Sequence, residues 1–390
     1  MNPSAPNDKR RFVVATPART VCDDNARVLE KHGALRFLAL GTRHGSAGIP
    51  AERTRLNPAI GLAAYLAARV FSTYHAESFR FRLHPWFDRW VSRQLRPGDH
   101  VLSTYGCAND CFTWARAHGG RTFLDGGNSH PDHFWRLLKE EHERWKCPLP
   151  PVAPHHYERS RAMMEHVDFV LSPSAFVTQS FLAAGFKPEQ ILKNVYPVDL
   201  SCFQPAPQPR PKDRPLSIIS TGMLSLRKGT PYLLEAFRLI HARHPSARFL
   251  LTRSMQTNVL PVLAQYADLP IDWSPPLPHP ELAQRLQSAD LFLLPSLEEG
   301  LARTALEAMA CGLPVIVTPH TGANDFVQPG VNGEIVPIRD PRAIADAILK
   351  WADRLLSRAA PPTRMIDADA LSFADFEHEF LRQLQSAQLL

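Results

Sequence analysis

The stretch PSLEEGLARTALEAMACGLPVIVT, residues 295–318, decides the fold. It follows an apolar run at 290–295 and opens with an acidic turn that contains Gly300. Residues 302–311 are good helix formers, and Gly312 stands just past them, where a left-handed backbone commonly closes a helix. Pro314-Val315-Ile316-Val317 then reads as a second buried strand. Strand, turn, helix, strand is a βαβ unit. It calls for a parallel sheet, with ligands at the carboxyl end of the strand beside the helix N-terminus.

Two glutamates are fixed in this unit, Glu299 in the turn and Glu307 in the second turn of the helix. The helical rise puts them about 8 Å apart along the axis. Between them lie the backbone N–H groups of Gly300, Leu301, Ala302 and Arg303, expected to be free as donors to an anion. A ligand with hydroxyls at each end and phosphate in the middle suits this spacing, and a nucleotide sugar is such a ligand. The plainer alternative is a surface helix carrying two solvated glutamates.

The pair and its context, EG followed by LEAMACGLPVI, resemble the E-x7-E motif of the retaining glycosyltransferases of family 4. That resemblance implies a GT-B fold: α/β, two Rossmann-like domains facing an interdomain cleft. It also implies that Glu299 meets donor-sugar hydroxyls, that Glu307 holds the ribose, and that Gly300, Leu301 and Ala302 seat the donor. Ala302 replaces a glycine frequent in the family.

A second motif precedes it. The strand at 216–220 leads through Gly222 to Arg227-Lys228-Gly229, with Pro231 at the start of a helix. A guanidinium fork and an ammonium in a strand-to-helix turn neutralise a diphosphate well. This looks like the family's G-R-L…KG segment. Met223 stands where an arginine is usual, so Arg227 is expected to supply the second cation. In the first half, Asp125-Gly126-Gly127-Asn128-Ser129-His130 ends a strand. The resemblance gives His130 a place at the reaction centre. His130, Asp132 and His133 crowd too closely in sequence, beside Pro131, to set up metal geometry, and no metal is expected.

The expected organisation is an acceptor-binding domain over 1–204, a proline-rich linker at 205–215, and a nucleotide-sugar domain over 216–365. A C-terminal helix within 366–390 is expected to cross back to the first domain. The loop at 16–20 lacks the glycines that usually approach phosphates, and Arg19 is a possible stand-in cation. Residues 57–90 read as helical, rich in arginines and aromatics such as Phe71, Tyr74 and Trp86. Such a stretch suits either a half-buried helix or contact with a membrane face or a lipid acceptor.

A length of 390 residues favours two or three domains, each with its own core. The net charge of +6 fits anionic ligands, while the scattered arginines argue against nucleic acid. The six cysteines form no CxxC pair and are read as reduced thiols. The apolar run near the N-terminus is too short for a signal-peptide core, and no run approaches a membrane span. These features predict a cytoplasmic enzyme, peripheral at the inner membrane face at most. Its donor would be a UDP- or GDP-sugar and its acceptor a glycan, lipid-linked or small molecule, with no permanently bound cofactor. A sugar-nucleotide epimerase or a phosphorylase on the same fold is the alternative, and a non-catalytic nucleic-acid-binding protein the remote one.

Overall fold

Strands covered by helices on both faces must be apolar along nearly their whole length. Phe12–Thr16 (β1) and Leu35–Leu40 (β2) are of this kind. The computed structural model describes residues 11–17, 20–41, 48–70, 79–208, 214–252, 254–357, 362–367 and 369–390. Arg19, Phe71, Tyr74 and part of the proline-rich linker lie outside the described residues.

β1 and β2 belong to a parallel sheet with β3 (Thr54–Leu56), β4 (His100–Ser103), β5 (Thr122–Asp125), β6 (Phe169–Ser172) and β7 (Ile191–Lys193), in the order 3-2-1-4-5-6-7. The second sheet holds β8 (Ser217–Ser220), β9 (Arg248–Thr252), β10 (Ile271–Ser274), β11 (Leu291–Leu294), β12 (Val315–Val317) and β13 (Gly333–Ile335). Its order is 10-9-8-11-12-13, again all parallel. Each sheet reverses direction once, between β1 and β4 or between β8 and β11. A crevice opens at such a switch point, and there the loops after the strands can converge on a ligand.

The described residues between 57 and 92 include the helices Pro58–Val70 and His84–Ser92, the second with Pro85 in its first turn, and a helical turn at 79–82. The C-terminal helix Phe373–Ser386 starts from Ser372, whose hydroxyl accepts the Asp375 N–H. Its Phe376, Phe380 and Leu384 pack into the core beneath β1 and β2, and Glu377 pairs with Lys31 at 2.7 Å.

The two sheets meet through buried polar contacts. Glu141, on the first-domain helix Pro131–Arg144, is 1% exposed. Its carboxylate accepts from the Tyr232 hydroxyl at 2.5 Å and from Arg339 Nε at 2.7 Å, both in the second domain. Trp145 Nε1 donates to the same carboxylate at 2.9 Å. A desolvated charge tolerates burial only with such partners. Replacing Glu141 by alanine leaves Arg339 with Glu140 alone and takes the acceptor from Tyr232 and Trp145, so Glu141→Ala should lose about 3 kcal/mol or more of stability. Urea unfolding should show this loss, and Glu141→Gln, which keeps an acceptor oxygen, should recover part of it.

Candidate active site

The loop after β8 and the turn after β11 lie side by side at the switch point of the second sheet. Gly229 has φ 70° and precedes the helix Thr230–Arg243. A Cβ there would fall 2.0 Å from the Pro295 carbonyl oxygen, so only glycine lets the two segments touch. The Leu297 N–H donates to the Arg227 carbonyl at 2.8 Å and fixes their register.

This contact gathers four charges. Lys228 Nζ lies 2.7 Å from Glu299 Oε1, and Arg227 Nη1 lies 3.4 Å from the same oxygen. Arg227 Nη1 also donates to the Glu298 carbonyl at 2.6 Å and lies 3.2 Å from Glu298 Oε2. Gly222 adjoins Lys228, whose Nζ would sit 3.5 Å from a Cβ at that position. Arg227, Lys228, Glu299 and Gly222 are therefore brought together.

The neighbouring carboxylates are driven apart in acidity. Burial pushes the Glu298 carboxyl up, against the pull of Arg227. Burial acts the same way on Glu299, but Arg227 and Lys228 outweigh it and hold that carboxyl down to about 2. Glu307 lies on the helix Arg303–Ala310 and is 5% exposed. Burial raises its carboxyl despite Arg303 one turn earlier, and among the described residues its side chain has no hydrogen bond or ion pair.

The anion seat is narrower than its sequence suggests. Ala302 N–H donates to the Thr321 carbonyl at 2.9 Å and Arg303 N–H to the Leu301 carbonyl at 2.9 Å. The loop after β12 consumes the first donor and a tight turn the second, which corrects the expectation of four free groups. Gly300 is pressed against the first domain: a Cβ would lie 2.1 Å from the Gly127 carbonyl oxygen. Its own carbonyl accepts from the Ser174 hydroxyl at 2.6 Å.

From the first domain, Ser129 N–H donates to Glu298 Oε1 at 2.8 Å. Glu298, 1% exposed, thus bridges the GGNS loop and Arg227. Sequence reasoning missed it, because beside the motif glutamate it looks like one more acidic residue of the turn. His130 is the N-cap of the helix Pro131–Arg144, its Nδ1 accepting from the Asp132 N–H at 3.3 Å. Its ring packs edge-on against Phe181 and Phe186, in the first domain, and has no contact with the four-charge cluster. His133 instead faces His320 of the second domain, with ring centres 6.0 Å apart. Among the described residues no group of three or more His, Cys, Asp or Glu is placed to hold a metal ion.

Residues 215–354 match the family model described as glycosyl transferases group 1. The chain is a GT-B protein related to that family. It is 27% identical over 247 residues to a protein of Escherichia coli (strain K12) named as a glycosyltransferase of colanic acid biosynthesis, WcaL, a match that takes in 61% of this chain. The chain spans 59% of that relative's length. Among solved structures, sucrose-phosphate synthase of Thermosynechococcus elongatus superposes with a TM-score of 0.67 at 18% identity, covering 97% of this chain and 100% of that one. Anabaena HepE, solved with UDP and glucose, gives 0.66 at 13% identity over the same shares. These structural likenesses show the fold.

Under the GGNS loop, the Asp125 carboxylate accepts from the Tyr196 hydroxyl at 2.9 Å and from the Cys22 thiol at 3.5 Å. Burial raises this carboxyl from 3.8 to about 6. A raised acid contributes stability below its unfolded value and loses it as pH climbs through the folded one. Asp125→Asn, which keeps an acceptor for Tyr196, should therefore gain on the wild type between pH ~4 and ~7 by up to about 3 kcal/mol. Thermal unfolding of both proteins across this range measures the gain.

Proposed function

We propose that the protein is a retaining glycosyltransferase that moves a sugar from a nucleoside-diphosphate sugar to an acceptor hydroxyl. The observation that carries this reading is the cluster of Lys228, Arg227 and Glu299 at the sheet switch point, with the buried, unpaired Glu307 on the helix that follows. A donor diphosphate competes with Glu299 for the two cations. Once displaced, Glu299 is free to accept hydrogen bonds from the donor sugar, and Glu307 from the ribose diol. The match of residues 215–354 to the family model supports the same assignment.

In the transfer, the bond from the anomeric carbon to the diphosphate oxygen breaks, and its electron pair leaves with the diphosphate. Arg227 and Lys228 stabilise the charge that develops there, which is usually the largest catalytic contribution. The acceptor oxygen forms the new bond on the face being vacated, and its proton passes to the leaving diphosphate. Gly300 and Gly127 in direct contact help to keep water from the anomeric carbon. His130 stays a proposed neighbour of the reaction centre, acting through the loop whose end it caps.

Thermal unfolding against UDP, GDP and ADP tests the donor site. One nucleotide at about 100 times its dissociation constant should stabilise the protein by roughly 2.7 kcal/mol. Glu307→Ala should weaken that shift while remaining folded. Absence of a shift with any nucleotide would overturn the reading.

We further infer peripheral contact with an anionic membrane face. No helix among the described residues is long and apolar enough to cross a membrane. Leu62, Tyr65, Leu66 and Val70 are nevertheless exposed along one helix, and Trp86 is 73% exposed. Arg69 lies on the same helix, arginines 80, 82, 89 and 93 are exposed in the next described segment, and their charge complements anionic headgroups. The protein should co-sediment with phosphatidylglycerol vesicles at low salt. Leu66→Asp should cut binding about tenfold or more, and equal binding of both proteins would refute the contact.

A further inference from the structure

A slot of about 260 Å³ opens beside the four-charge cluster, on the first-domain side of the seam. Phe81, Phe134, Trp135, Leu138, Val152 and Tyr157 give it an aromatic and aliphatic wall, and polar residues, Asn128, Ser160 and Gln256 among them, also line it. Trp135 and Tyr157 stack with ring centres 4.9 Å apart and planes 8° from parallel. That stack fixes both rings and leaves the slot bounded by rigid apolar surface.

The slot's charge is as telling as its shape. Its lining includes no Asp, Glu or Lys, and its one standing charge is Arg227. His156 also lines it, but burial, with Arg159 and His155 nearby, lowers that imidazole to about 4 and keeps it neutral at pH 7. Arg227 is also the group that contacts Glu298 and Glu299, so one end of the slot is part of the donor cluster. Ser129, clamped to Glu298, lines the same end.

Given the glycosyltransferase reading, on which this inference rests, a group in the slot lies next to the anomeric carbon. A free sugar fits it poorly. Asn128, Ser129, Ser160 and Gln256 offer it partners, but its hydroxyls would be stripped of water against the aromatic and aliphatic remainder of the lining. An alkyl or aryl group gains from the same burial. We infer that the acceptor is amphipathic: an apolar body occupies the slot and its nucleophilic hydroxyl lies at the Arg227 end. That hydroxyl's oxygen makes the new glycosidic bond, and its proton leaves with the donor diphosphate.

The test compares n-octyl β-D-glucoside, below its micelle concentration, with D-glucose as ligands of the full chain, by calorimetry and saturation-transfer NMR. The glucoside should bind roughly tenfold or more tightly than the sugar. Phe134→Ala and Leu138→Ala should each remove most of that preference while leaving the nucleotide-induced rise in unfolding temperature intact. Equal affinity for the two ligands would overturn the inference. So would a preference that survives both substitutions, because it would then reside on the exposed apolar helix face. Loss of the glycosyltransferase reading shows differently: no nucleotide shift in the wild type, with the glucoside preference unchanged.

Discussion

A carboxylate with 1% exposure cannot stay charged between two domains unless each of its lone pairs finds a donor, and Glu298 draws its donors from both sides. Ser129 N–H comes from the first domain and Arg227 from the second. Arg227 is therefore held in place by a group whose own burial depends on the first-domain loop. Separate the domains and Glu298 becomes solvated, and the guanidinium loses the geometry that puts it 3.4 Å from Glu299. The four-charge cluster lies on the second domain, but its alignment belongs to the pair.

Glu141 applies the same logic at another point of the seam. Its partner Arg339 has φ 63°, a left-handed backbone that a side-chain-bearing residue adopts at a cost. The two bonds to Glu140 and Glu141 compensate for that strain. With Glu298 near the donor cluster and Glu141 on the helix Pro131–Arg144, the domains are joined at two separated charged contacts. The first-domain partners, Ser129 and Glu141, lie on one segment, the GGNS loop and the helix it leads into. That segment also carries Phe134, Trp135 and Leu138 of the apolar slot. Seam and slot are thus built from one piece of chain.

The pattern of 295–318 was legible because every signal in it is local. Apolar runs, helix formers and Gly312, at φ 85°, all act within a few residues, and β11, the helix Arg303–Ala310 and β12 follow them. Gathering Arg227, Lys228 and Glu299 was legible too, since both segments follow adjacent strands. What could not be read depends on distant partners. Glu298 and Glu299 are chemically identical neighbours, and only Ser129, 169 residues away, separates their roles. Ala302 N–H looked free because its acceptor, the Thr321 carbonyl, sits beyond the next strand. The direction of the His130 ring likewise rests on Phe181 and Phe186, in a later helix and loop. Glu141 sat within a run of charges that reads as a solvated helix face until Tyr232 and Arg339 cover it.

The position of the second cation ties donor and acceptor chemistry together. The proposed donor reading assigns the second cation to Arg227, four residues past Met223. Both residues line the slot. An arginine at 223 would put a second charge into that wall, and a desolvated cation there would repel an apolar body. Moving the charge four residues along keeps it where two glutamates anchor it, and leaves a flexible thioether facing the slot. Under the proposed donor reading, this placement confines the cation to the donor end and leaves the rest of the slot free of charge.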